Sequence, residues 1–353
     1  MYIVGGTFDA EGGKPSKMVN EIYKCIRERG IMIHMVNGGN ISELPLHLDN
    51  TRGYNKVIWI PNVLGDVPKM RNVKEINPTC ILVGSKRNNN EYLFGELVTR
   101  ALEQKLNLCI EFTKVEGVKG RKMTVFDPLG NVFYQGTSIR QMTDDLLDRL
   151  MFLGRMRRVS SKQVGEKEVP ELDELFLDSI KKYAKTFHKL IQAQTTRFLG
   201  NCSTRCMRGF PSQRIDDIVF VSKRNVDKRY IDKSAFVPCN LNSECVEYYN
   251  ENKPSVDTPI QLELYRRLPN INYMIHSHCY IKGAPFTQQV IPCGAIQEVD
   301  EIMATIKDTE TDFHVVNLKG HGSTVMAATA EQLQKIKYIP RIFPEEFNRG
   351  SWK

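Results

Sequence analysis

The sequence predicts an α/β protein of two domains, and three observations predict it. At 353 residues the chain exceeds one typical domain. From residue 1 to about 156, short apolar runs of strand character alternate with stretches of helical periodicity, the pattern of a doubly wound parallel sheet. A charged stretch almost free of aromatics, Arg155 to Glu174, then separates this half from a second α/β segment. The expected boundaries are a first domain at 1–156, a linker at 157–174 and a second domain at 175–353.

In the first domain, Tyr2–Val4 reads as a strand running into Gly5-Gly6-Thr7. Ser16 to Arg29 has helical spacing through Met18, Ile22, Tyr23 and Ile26. Strands follow at Ile31–Val36, Lys56–Pro61 and Thr79–Val83, then a helix at Tyr92–Lys105 and a strand at Asn107–Phe112. Met123–Phe126 and Val132–Tyr134 flank Asp127-Pro128-Leu129-Gly130-Asn131, a hairpin signal, and a last amphipathic helix runs from Ser138 to about Leu153. The strand ends carry Gly5, Gly6 and Thr7; Asn37, Gly38, Gly39 and Asn40; Asn62; and Ser85, Lys86 and Arg87. Ligands of open α/β sheets bind beyond this edge, where glycines admit a phosphate and a cation can neutralise it. We read a Rossmann-like domain, with a nucleotide as its candidate ligand. A chain with neither Gly-x-Gly-x-x-Gly nor a Walker loop also fits a partner-docking role.

Composition narrows the class. With 41% hydrophobic residues the chain can build ordinary cores, and no apolar run is long enough to span a bilayer. The N-terminus enters directly into Tyr2-Ile3-Val4 without a basic region or cleavage site, so a cytoplasmic protein is expected. Nine scattered cysteines suggest reduced thiols, not a disulfide framework. A net charge of +8 suits anionic substrates, while the lack of a dense basic stripe disfavours nucleic acid.

The second domain opens with a helix from Leu175 to about Phe198, and strands follow at Asp217–Ser222 and Ala235–Pro238. A helix at Thr258–Arg267 leads into an apolar strand, Ile271–Ile275, that ends in His276-Ser277-His278. Residues i and i+2 of a strand share a face, so His276 and His278 project side by side. A further strand, Val315–Leu318, stops at Lys319-Gly320-His321-Gly322. Three imidazoles from two elements form the ligand set of a catalytic zinc site that keeps one position open. An isolated His-x-His is more often a polar strand end; the third glycine-flanked histidine tilts the reading toward a metal. His188, His314, His34 and His47 carry no such pattern.

The second half resembles the class II aldolase/adducin-head family, which includes fuculose-phosphate aldolase and ribulose-phosphate 4-epimerase. The matching pieces, in family order, are Gly200-Asn201-Cys202-Ser203-Thr204-Arg205, Lys253-Pro254-Ser255-Val256-Asp257-Thr258-Pro259, His276-Ser277-His278, Ile291-Pro292 with Asp300, and Gly320-His321-Gly322. The resemblance implies an α/β/α domain, a homo-oligomer (usually a tetramer), and Zn2+ or another divalent metal held by His276, His278 and His321. It implies a sugar or sugar phosphate as substrate, cleaved or epimerised through a metal-stabilised enediolate. Asp257 matches the acid beside the metal and Asp300 a second acid of the epimerase pattern, a pair suited to proton transfer. Without that role, Asp257 is a helix cap and Asp300 surface charge. Asn201, Ser222, Lys223 and Ser255 match the phosphate-binding positions. Here Lys223 stands where the family has glycine and Val256 where it has a second serine. Lys223 or Arg224 would then supply charge in place of a backbone contact. Tyr338 is the candidate for the family's C-terminal aromatic acid/base. Two other readings remain open: a non-catalytic assembly module like the adducin head, and a nucleotide-processing enzyme with its chemistry in the first domain.

Overall fold

The computed structural model describes residues 1–8, 17–39, 56–60, 80–89, 91–115, 117, 120–190, 197–207, 210–214 and 217–341. The chain divides into two compact units, one spanning Met1–Arg155 and one spanning Met156–Ile342. Each is described by itself.

The first unit is built on a seven-stranded sheet. In chain order its strands are β1 (Tyr2–Phe8), β2 (His34–Gly39), β3 (Lys56–Ile60), β4 (Ile81–Asn88), β5 (Leu108–Lys114), β6 (Arg121–Phe126) and β7 (Val132–Gly136). Their spatial order is β2-β1-β3-β4-β5-β6-β7. The five from β2 to β5 are parallel, whereas β6 and β7 return antiparallel as the hairpin that the Asp-Pro-Leu-Gly-Asn turn predicts. β5 is buried from Leu108 through Phe112, as expected of a strand covered on both faces. Helices α1 (Lys17–Arg27) and α3 (Ile139–Arg155) share one core with Ile3, Val83, Ile110 and Val125. Between them in sequence, α2 (Phe94–Glu103) packs Leu97, Val98 and Ala101 against Leu82, Cys109 and Phe126 of the other face.

Strand β4 runs further than its apolar run suggests. Ser85, Lys86 and Arg87, expected just beyond a strand end, lie inside it and pair with Ile110, Glu111 and Phe112 of β5. Backbone hydrogen bonding to β5 carries the strand past the end of its apolar residues. Asn40, Asn62 and His47 lie outside the described residues.

The second unit is an eight-stranded sheet with helices on both faces. Its strands are β8 (Ser161–Gly165), β9 (Asn201–Thr204), β12 (Ile218–Ser222), β13 (Phe236–Asn240), β14 (Val246–Tyr249), β15 (Tyr273–Ser277), β17 (Phe313–Leu318) and β18 (Gly322–Ala327). Small ribbons pair β10 (Cys206–Met207) with β11 (Phe210–Arg214) and β16 (Tyr280–Ile281) with β19 (Tyr338–Ile339). The large sheet runs β17-β18-β15-β9-β12-β13-β14-β8 and is antiparallel except for its last pair. Alternation assigns the two faces. Phe220, Phe236, Tyr273, Ile275 and Val325 join α4 (Glu174–Leu190) and α7 (Ala330–Gln334) in one core. Val219, Val237, Met274 and Met326, one residue out of phase, join α5 (Thr258–Arg267) and α6 (Glu298–Thr305) in the other.

One expectation of organisation is corrected here. Residues 157–174, read as a linker, contribute β8, which pairs in parallel with β14 from Val246↔Ser161 to Tyr249↔Gly165. Every residue of β8 is exposed. An edge strand with no buried face needs no hydrophobic alternation, and its sequence therefore reads as loop.

Candidate metal and active site

The site forms where three central strands end. His276 sits in β15 opposite Asn201 of β9 on one side and Thr324 of β18 on the other. His278 follows one residue beyond the strand. Between β17 and β18 the chain turns through Gly320 (φ +70°), His321 and Gly322 (φ +152°), which brings the third imidazole back to the first two. A Cβ on Gly322 would run into the Ser277 carbonyl oxygen and the His278 backbone, so the approach of this turn to β15 requires glycine. Gly200 (φ +80°) has a similar role: a Cβ there would press on the His276 carbonyl oxygen and the Tyr183 hydroxyl.

The three rings converge. Centroids lie 5.2 Å apart for His276–His278, 4.6 Å for His276–His321 and 5.0 Å for His278–His321. One nitrogen from each falls within 4.8 Å of the other two. All three residues are buried, at 4%, 5% and 1% exposure. Outer contacts fix which nitrogen faces inward. His276 Nδ1 meets the Ser323 carbonyl oxygen at 3.1 Å, and its Nε2 is buried without a hydrogen-bond partner. His321 Nδ1 meets Glu298 Oε1 at 2.9 Å. A carboxylate or carbonyl behind the ring is how proteins orient metal-binding imidazoles. The Tyr183 hydroxyl accepts the His278 backbone N–H at 3.3 Å, and Tyr183 itself packs 5.3 Å from the ring of Tyr338. Tyr338 therefore lies a layer behind the histidines.

Asp257 stands at the start of α5, where Pro259 favours the first turn. Its side chain makes no helix-capping hydrogen bond. Instead Oδ2 accepts from Asn201 Nδ2 at 2.8 Å, Asn201 Oδ1 accepts from Gln261 Nε2 at 2.5 Å, and Asp257 Oδ1 is buried with no hydrogen bond. Burial pushes the Asp257 carboxyl up from the usual range, with the charge of His321 pulling the other way. Burial likewise raises Glu298, and it holds His276 and His278 well below the ordinary imidazole value. For His321 burial also pulls downward, but Cys293 and Glu298 outweigh it and the net direction is up. The residues fit a divalent cation: three imidazoles, one with an orphaned buried nitrogen, are donors suited to zinc or a similar borderline metal.

The other expected residues divide. Ser222, Lys223 and Ser255 come together with Asn201, because the Ser255 N–H donates to the Ser222 carbonyl at 3.0 Å and Lys223 bridges to Pro254. The Ser222 hydroxyl, however, accepts the Cys202 amide at 3.2 Å. Ser255 Oγ meets the Asp257 amide at 3.4 Å, and Val256 is exposed. Asp300 is not brought to the site. Its side chain is 70% exposed and ion-paired with Arg267 at 2.9 Å. On α6 it lies two residues, about 200°, around the helix from Glu298, the acid that reaches His321. Glu298, Gln261 and Cys293 were not signalled by any sequence motif. Glu298 shares its helix with the expected Asp300, but the sequence predicts no helix over these residues and so no phase that would set Glu298 apart.

Residues 181–284 match the family model for the class II aldolase and adducin N-terminal domain, a stretch that contains His276 and His278 but not His321. No curated protein sequence matches the chain. Among solved structures, an L-fuculose 1-phosphate aldolase is similar at 17% identity, covering 46% of this chain and 82% of its own, with a TM-score of 0.33. The L-fuculose-1-phosphate aldolase of Thermus thermophilus is similar at 14% identity, with 46% and 85% coverage and a TM-score of 0.31. The N-terminal class II aldolase domain of a Thermoplasma acidophilum protein is similar at 15% identity, with 50% and 92% coverage and a TM-score of 0.35. Among the described residues no helix is long and apolar enough to cross a membrane.

Proposed function

We propose that the second unit is a metal-dependent lyase or epimerase that acts on a sugar or sugar phosphate by way of an enediolate. The observation that carries this reading is three buried imidazoles converging on one another, with the buried carboxylate of Asp257 held by Asn201, the residue paired with His276, and sensing the charge of His321. His276, His278 and His321 would hold the ion, zinc or a related divalent metal. When bound, such an ion supplies Lewis-acid stabilisation of negative charge developing on a substrate oxygen. Asp257 moves the proton. Its Oδ2 is held by Asn201, and burial raises its proton affinity above that of an exposed aspartate against the opposing pull of His321 and the Gly294 backbone. Glu298 fixes the ring of His321. Lys223 and Arg224 follow Ser222 and lie against Pro254, beside Ser255, and would meet an anionic end of the substrate in place of the glycine and second serine that are absent. The proposal takes a homo-oligomer as the working assembly, which light scattering on the purified protein tests. Incubation of the zinc-loaded protein with a panel of ketose phosphates, followed by mass spectrometry, tests the activity. A cleaved or epimerised product that is absent with Asp257→Asn supports it; no turnover of any member counts against it.

A second reading concerns the first unit. Its order β2-β1-β3-β4-β5 reverses at β1, and Gly5, Gly6 and Thr7 occupy that strand. Doubly wound sheets of this order bind nucleotides and flavins at the reversal. Thermal-shift screening of the full chain with both ligand classes tests it, and no shift with any of them removes the reading.

A further inference from the structure

Cys293 lies in a tight turn beside the histidines and has no part in the activity proposed above. The turn is closed by the Ala295 N–H donating to the Pro292 carbonyl at 3.2 Å, with Gly294 at φ +75°. The Arg158 guanidinium reaches the Cys293 carbonyl at 3.5 Å. In this setting Cys293 Sγ stands 3.2 Å from His321 Nε2. Glu298 occupies Nδ1 of that ring, so Nε2 is the nitrogen His321 has for an ion. The thiol is therefore placed against the metal-facing atom of a ligand. Independently, His276 Nε2 is buried and without a hydrogen-bond partner at the same cluster. Bonds of about 2.0 Å to nitrogen and about 2.3 Å to sulfur at a tetrahedral angle set two donors roughly 3.5 Å apart, close to the separation from His321 Nε2. The donors already within 4.8 Å of one another are the three imidazoles, so ligation brings the sulfur of the 292–295 turn inward toward His276 and His278.

We infer that Cys293 is the fourth ligand of the metal in the substrate-free protein, closing a three-histidine, one-cysteine set that opens when substrate oxygens displace the sulfur. This rests on the metal reading of the three histidines. On binding, the thiol gives its proton to solvent and the sulfur lone pair goes to the cation; nothing is oxidised or reduced. The consequence is a gate. A site with four protein donors is closed, whereas one with three is open, and a thiolate that yields only to a bidentate ligand keeps water and weak anions off the ion until the substrate arrives.

Cobalt(II) replacement of the metal in the full-length protein tests this by absorption. The wild type should hold about one cobalt per chain and show visible ligand-field bands together with a near-ultraviolet sulfur-to-cobalt charge-transfer band. Cys293→Ser and Cys293→Ala should keep the ligand-field bands, which also show that the site has folded, and lose the charge-transfer band. Ligand-field bands without charge transfer in the wild type overturn the inference and leave the three-histidine reading intact. A charge-transfer band that survives in both Cys293 variants also overturns it, since the sulfur is then another one, such as Cys279 beside His278. No cobalt bound at all removes the three-histidine reading and this inference together.

Discussion

Asp257 and Asp300 carry the same side chain in opposite circumstances. The first is 8% exposed as a residue and hydrogen-bonded to Asn201; the second has a side chain 70% exposed and paired with Arg267. An exposed ion pair of that kind contributes about 0–1 kcal/mol. Asp300→Ala is therefore expected to leave turnover within about twofold of wild type and Tm nearly unchanged. Asp257→Asn, isosteric and still buried, is expected to lower kcat by about 10²-fold or more with metal content unaltered. Steady-state kinetics on the two variants side by side checks both. Lys228 offers a pH-dependent case outside the histidine set, although its charge is felt by His276 and His278. Its ammonium donates to the carbonyls of Phe198, Leu199 and Val226, and burial depresses it from 10.5 to about 8. Between those values the unfolded chain keeps a proton that the folded chain has released, so this group's contribution to stability rises with pH. Urea unfolding of wild type and Lys228→Met should show the difference, wild type minus variant, growing by up to about 3 kcal/mol from pH 8 to pH 10.5. A flat difference would mean that Lys228 titrates normally.

At the scale of elements, what could be read in the sequence depended on periodicity. The i, i+2 spacing of His276 and His278 was legible because a strand has only two faces, and the glycines around His321 marked the end of a strand. Glu298 was not legible. The Glu298–Thr305 helix has acids at 298, 300 and 301, and which of them faces inward depends on how the helix docks, a tertiary property. Glu298→Gln keeps the volume but removes the charge behind His321, and should weaken metal affinity by 10- to 100-fold while leaving the fold intact; competition against a zinc-sensitive dye reads this directly. The turn at Gly322 makes a steric prediction. Gly322→Ala forces the backbone of β18 away from Ser277 and should both lower Tm and abolish metal retention, whereas Gly283→Ala, where a Cβ would meet nothing within 4 Å, costs only backbone strain.

At the scale of the molecule, the alternation of strands and helices in the first half matches the parallel strands β2 to β5 of its sheet. The antiparallel nature of the second sheet and the capture of β8 at its edge did not follow from the sequence, because pairing partners are chosen by docking and an exposed edge leaves no hydrophobic signature. Saturating zinc at about 100 times Kd should add roughly 2.7 kcal/mol to the stability of the second unit, seen as an upward shift of the transition in which it unfolds.

The central claim is that three imidazoles form one cation site, and metal content tests it most directly. After zinc loading and exhaustive dialysis, elemental analysis should find about one zinc per chain in the wild type and in Asp257→Asn, and almost none in His276→Ala or His321→Ala, with all four proteins folded by circular dichroism. Zinc retained equally by the histidine variants, or absent from the folded wild type, would contradict the account.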